Sequence, residues 1–274
     1  MNTINRKIGI VSHDLEHKHI VFIDEDANVL SNFKIDRALD IQKLDNGNFL
    51  TQQALEVTEF DNCANIVWQY VIGDTSQKSL EQYAHEGYEL CGAYRLDNGN
   101  TIIGDLRDSS FYELTPDFKK VCKIKYPYKT LGNLHFLWRM FRVLENGNLL
   151  IAGYEHGKII ELDRSGNIVR EIVTSGNPYE AIMLDNGNIL ASLGPSGKIA
   201  QYDINGRVLW ELDTAKLWNP KNSPWISGIC KVGNNIIFAD FTNDAIIELD
   251  KNLNIVGKLI EPQIFKCPAS IVIL

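Results

Sequence analysis

Asp40, Glu180 and Arg142 are the side chains whose spacing in this 274-residue chain best supports chemistry. Asp40 and Glu180 stand four residues before Leu44 and Leu184, and Arg142 stands two residues before Leu144. Each of those leucines opens a recurring Asn-Gly-Asn segment. The four-residue offset also selects Gly92, Met140, Gly228 and Ser270, and the two-residue offset selects Gln42, Tyr94, Ile182, Cys230 and Val272. If these segments are the inner strands of a ring, residues of one parity point to its axis. Two carboxylates facing each other across a channel could bind a cation or act as acid and base. An arginine beside them could hold a carboxylate or sulfate ligand. The same groups could equally do no more than neutralise one another, Arg142 against Glu180, in a water-filled channel.

The six histidines sharpen the choice of face. His13, His17, His19, His85, His135 and His156 fall in or beside connections remote from the Asn-Gly-Asn turns, and Trp138, Trp218 and Trp225 lie near the same connections. Longer loops hold more polar residues in any case. The functional reading is a ligand face rich in groups that titrate near neutral pH. The candidate ligand-binding residues are therefore Asp40, Tyr94, His135, Trp138, Arg139, Arg142, Glu180 and Trp225. Asp105 and Asp240 end strands on that face and read as caps.

These residues need a scaffold, and the repeat supplies one. Leu44 to Asn48, Leu96 to Asn100, Leu144 to Asn148 and Leu184 to Asn188 repeat Leu-(Asp/Glu)-Asn-Gly-Asn, and Val232-Gly233-Asn234-Asn235 is a degenerate fifth copy. The spacings of 52, 48, 40 and 48 residues suit four-stranded propeller blades. Asn-Gly flanked by apolar, β-rich segments predicts a hairpin with positive φ at both central residues. A second hairpin follows each first one, as in Lys158 to Asp163, Arg164-Ser165-Gly166 and Asn167 to Ile172. Four strands, A to D, make a blade, with apolar and polar residues alternating. Blades one to five span roughly 38–72, 88–126, 136–173, 179–213 and 226–260. Three N-terminal strands and one C-terminal strand, Ser270 to Leu274, complete a sixth. The expectation is a single six-bladed, all-β propeller domain over 1–274, closed by its own ends. Pro262 and Pro268 are expected to break the run before the last strand.

The segments LDNGNILAS…KIAQYDINGRVLWELD and LENGNLLIAG…KIIELDRSGNIVREI resemble blades of the pyrroloquinoline-quinone-like and arylsulfotransferase-like propeller superfamily. The resemblance covers nearly the whole chain and implies the fold. It transfers no catalytic residue, because the shared motif is a structural turn. Quinoproteins of that type are generally eight-bladed and often carry adjacent cysteines. The sulfotransferases are larger and exported, and they use a channel histidine. Six blades, no Cys-Cys pair and no export signal set this chain apart from both.

Composition narrows the partners. The net charge of −8, without a Lys/Arg cluster, argues against nucleic acid and anionic membranes. Five widely spaced cysteines fit free thiols in a reducing compartment. No apolar run is long enough to span a bilayer, and the N-terminus lacks signal-peptide features. The expectations are a cytoplasmic monomer with no cofactor and no metal. Its site would be a small-molecule funnel on the face of the longer B–C and D–A loops. The alternative is a non-enzymatic scaffold binding a protein or peptide on that face through Tyr83, Tyr88, Tyr128, Trp218 and Trp225.

Overall fold

The computed structural model describes residues 4–13, 19–35, 38–72 and 90–274. They form six four-stranded antiparallel sheets, each running in sequence order from an inner strand A to an outer strand D, except where the chain ends meet. His17, His85, Tyr83, Tyr88 and the expected loop from 73 to 87 lie outside the described residues.

Local chemistry differs from expectation at the Asn-Gly-Asn turns. Only the glycine takes positive φ, at +85° for Gly47, while its neighbouring asparagine does not. Gly47 N–H donates to Leu44 O at 2.9 Å, and Leu44 N–H donates to Asn48 O at 2.8 Å. This is a three-residue connection, a type I turn followed by a left-handed glycine. The first asparagine has a different task. Asn46 Oδ1 accepts from Asn48 N at 2.9 Å, closing the turn from within. The second asparagine reaches into the blade: Asn48, Asn100 and Asn148 donate to Glu59, Glu113 and Glu161 of their C strands at 2.8, 2.5 and 2.7 Å. The motif thus fixes both the turn and a buried carboxylate.

Packing occurs between blades more than within them. One core cluster joins Leu190 and Ile199 of blade four to Ile226, Phe238 and Ile247 of blade five, all nearly fully buried. Outer strands are mostly exposed, as along Ile168–Val173, where Arg170 is half-buried and Ile172 buried. Closure follows the expected pairing. The last strand, Pro268–Ile273, pairs antiparallel with Ile8–Ser12, matching Ile273 with Ile8 and Ile271 with Ile10. Ile271 and Ile273 pack on the blade-five side and Val272 on the blade-one side. Pro268 begins this strand instead of breaking it. It stands at the first position of an inner edge, where its missing N–H costs no ladder bond.

Candidate functional site

The central channel is built from the A strands. Asp40 and Glu180 lie on opposite blades and are 4% and 3% exposed. Arg142 comes from the short strand Phe141–Val143 and bridges them. Its guanidinium donates twice to Asp40, with Nη2 to Oδ1 at 3.1 Å, and also to Glu180 Oε1. The expected pairing with Glu180 alone therefore becomes a three-member ion cluster across the ring.

The surrounding backbone completes it. Ser270 Oγ and Ile41 N–H donate to Asp40 Oδ1 at 2.8 and 2.9 Å. Ile229 N–H donates to Glu180 Oε2 at 2.8 Å. That N–H is freed by a bulge in blade five between Ile226 and Ile229. Gly228 makes the bulge possible, since a Cβ there would lie 2.8 Å from Ser270 Cα. Burial pushes the Glu180 carboxyl up to about 7 and outweighs the opposing pull of Arg142. Burial works against the Arg142 charge, but Asp40 and Glu180 overcome it and raise its value. The Cys230 thiol, also in the channel wall, is pushed up to about 12 by burial and by nearby Glu180, so it is a poor nucleophile.

The cluster divides the channel. Toward the Asn-Gly-Asn turns lies a cavity of about 250 Å³ lined by Gln42, Tyr94, Arg142, Glu180, Ile182 and Cys230, among others. On the loop side, the space between Leu39, Asp40, Gln52, Arg139, Met140 and Tyr179 holds no room for a water molecule. Among the described residues, room next to the cluster thus lies on the turn face, whereas the histidines pointed to the loop face. A larger cavity of about 510 Å³ shares Tyr94, Arg142 and Ile182 with the channel and extends between blades three and four to Glu161, Arg170 and Met183.

The eight expected residues separate into two groups. Asp40, Tyr94, Arg142 and Glu180 converge on the channel. His135, Trp138, Arg139 and Trp225 lie on the loop side. Trp138 is fully buried, packed on Phe111 and Tyr126, with Nε1 donating to Cys91 O at 3.1 Å. Arg139 is held between aromatic rings, 5.2 Å from Phe136 and 5.0 Å from Tyr154. Trp225 packs on Phe241, with ring centroids 5.5 Å apart, and His135 stands edge-on to Phe136. Asp105 acts as a cap, accepting from Arg107 N at 3.1 Å, whereas Asp240 accepts from Trp225 N at 3.3 Å and Asn243 Nδ2 at 3.0 Å and does not cap the turn that follows it. Among the described residues no group of three or more His, Cys, Asp and Glu is arranged to hold a metal ion. Nor is any helix among them long and apolar enough to cross a membrane.

Sequence reasoning missed Glu161 and Arg170 because only the A strands were aligned, and Met183 because only the second and fourth positions before each turn leucine were read. Aligning D strands opposite the buried C-strand position would have found Arg170. That register gives Trp68, Cys122, Arg170, Trp210 and Gly257 in blades one to five, and the arginine stands out.

No protein-family model and no curated protein sequence matches this chain. Solved structures do. A protein of unknown function from Bacteroides caccae is 14% identical with a TM-score of 0.80, covering 97% of this chain and 98% of that one. A streptogramin B lyase is 12% identical with a TM-score of 0.65, covering 95% and 81%. A catalytically inactive virginiamycin B lyase from Staphylococcus aureus, solved with quinupristin, is 15% identical with a TM-score of 0.62, covering 95% and 87%. At such identities the likeness establishes the shared fold: the chain is a six-bladed β-propeller.

Proposed function

We propose that this propeller binds a small molecule in its central channel, entered from the face of the Asn-Gly-Asn turns. The observation that carries the reading is the cavity resting on the Asp40–Arg142–Glu180 cluster, with no room for water between Leu39, Gln52, Arg139, Met140 and Tyr179, described residues on the cluster's other side. A ligand there meets an apolar wall of Ile182, Ile229 and Ile271 and a polar floor of Arg142 and Glu180. Few polar groups in an apolar concavity are the usual makings of a ligand site. A carboxyl raised to about 7 can hold or accept a proton at neutral pH, so Glu180 is the group on which acid–base chemistry would rest. That a likened propeller is named a lyase and was solved with a small molecule agrees with such use of the fold.

The test is retention of metabolites. Immobilised protein is exposed to a metabolite extract, and bound molecules are identified by mass spectrometry. Ile182→Trp, which fills the channel, should lose them, while His135→Ala on the loop face should keep them. Retention that survives Ile182→Trp but not His135→Ala would overturn the reading. A protein partner is the second reading, favoured by Leu131 and Phe136, which are 75% and 38% exposed on the loop side.

A further inference from the structure

The seams between blades are filled in different ways, and the one between blades three and four keeps the larger cavity. At the first seam a C-strand residue meets the A strand of the next blade. Between blades one and two, Glu59 meets Arg95 at 2.9 Å, and Arg95 lies 4.7 Å from the Trp68 ring. Between blades two and three, Arg164 returns to Glu113. Beside the seam between blades four and five, Trp210 Nε1 donates within blade four to Gln201 Oε1 at 2.9 Å, and its ring packs on the cluster shared with blade five. Between blades five and six, Arg6 pairs with Glu248 at 2.9 Å.

Between blades three and four, Glu161 faces Arg170 on its own blade, and Met183 stands where blade two has Arg95. The smaller side chain leaves the 510 Å³ cavity, a volume within the usual range for drug-sized ligands. The seam between blades six and one also has a cavity, of about 420 Å³, but its walls are mostly Phe22, Leu30, Phe33 and Phe49. The three–four cavity differs in its unmet polar atoms. Glu161 is 2% exposed; its Oε1 accepts from Asn148 at 2.7 Å, and its Oε2 accepts no hydrogen bond. Arg170 Nη2 lies 3.1 Å from that oxygen as an ion pair, and Arg170 Nη1 is buried without a hydrogen-bond partner. Arg170 Nη1 is thus an unmet donor, and Glu161 Oε2 is held only by the ion pair, in residues lining the same cavity. Buried polar atoms left so are costly and mark a missing partner.

We infer that the seam between blades three and four recognises an uncharged carboxamide on an apolar body. The amide carbonyl accepts from Arg170 Nη1 and the amide N–H donates to Glu161 Oε2, after a small turn of the guanidinium. The apolar body lies on Val143, Ile182 and Leu184, toward the channel. Charge selects against the alternatives. A carboxylate would meet Glu145, Glu161 and Asp185 in the same walls, against Arg142 and Arg170, which are already paired with carboxylates. An ammonium would satisfy Glu161 and leave Arg170 without an acceptor. The inference rests on the channel reading, naming the ligand chemistry of its side chamber.

The test is a matched probe series read by methyl NMR: benzamide, benzoate and benzylamine. Benzamide is expected to shift the Val143, Ile182 and Leu184 methyls and to bind at least about tenfold tighter than the other two. That is the size expected for a paired hydrogen bond. Arg170→Met should weaken benzamide by about tenfold, and Met183→Trp, which closes the seam, should abolish the shifts. Melting curves show whether each variant is folded, and either variant alone carries the test. Equal binding of the three probes, or benzamide binding unchanged in Arg170→Met, would overturn the amide inference and leave the channel reading standing. No shift at these methyls or at Ile229 and Ile271 with any probe would count against both.

Discussion

The seam between blades one and two and the seam between blades three and four begin with the same parts and finish differently. Each has a turn asparagine bound to a buried glutamate, Asn48 to Glu59 and Asn148 to Glu161. In the first, Trp68 and Arg95 fill the space. In the second, arginine replaces the tryptophan and methionine replaces the arginine, and a cavity opens to the channel. The difference shows that a repeat fold can open a cavity by omission.

Removing a seam altogether should have the largest effect. Deleting residues 270–274 takes away the strand that closes blade six, including Ile271 at 8% exposure. Burial of each such aliphatic side chain is worth about 1.5–3 kcal/mol, so loss of cooperative melting and aggregation through the open edge are expected. A truncated chain melting at the full-length temperature would refute the closure.

Next comes Arg95→Ala in the filled seam. It leaves Glu59, 6% exposed, without its ion-pair partner and uncovers Trp68. A loss of about 2–3 kcal/mol by denaturant unfolding is expected, since breaking a buried pair strands a charge. Arg170→Met likewise takes the ion-pair partner from Glu161, 2% exposed, and a loss of about 2–3 kcal/mol is expected there as well. A cost below about 1 kcal/mol for either variant would mean that its ion pair contributes little.

A smaller effect is expected from pH at the channel floor that both cavities share. The Glu180 value of about 7 in the fold lies above its ordinary value of 4.5, so the native state binds this proton more tightly than the unfolded chain. The resulting stability is fully present below about pH 4.5 and is lost as pH rises through about 7. Glu180→Gln carries no such dependence. The melting temperature of the wild type relative to the variant should therefore fall between about pH 5 and pH 8. A constant difference would mean that Glu180 titrates as an ordinary carboxyl.

The blade count, the closing strand and the meeting of Asp40, Arg142 and Glu180 were legible in the sequence. They depend on period and parity, and every copy of the turn marks the same point on an A strand. The turn type was less legible: Asn-Gly suggested two positive φ values, but the preceding Asp makes a longer loop in which only Gly47 and its equivalents need one. The room beside the cluster on the turn face was not legible, because the histidines mark loop length. Whether a channel is blocked depends on side-chain volumes converging from several blades, such as Arg139, Met140 and Tyr179. The open seam was visible only as a substitution at one register position, Arg170 for tryptophan, which gains meaning once the blades are stacked.

The most direct measurement is a crystal structure of the protein grown with benzamide. The account expects the ring on Ile182 and Leu184, with the amide edge against Arg170 Nη1 and Glu161 Oε2, in the seam that Met183 leaves open. A structure in which that seam is closed around Arg170, and no benzamide lies on the turn face, would contradict it.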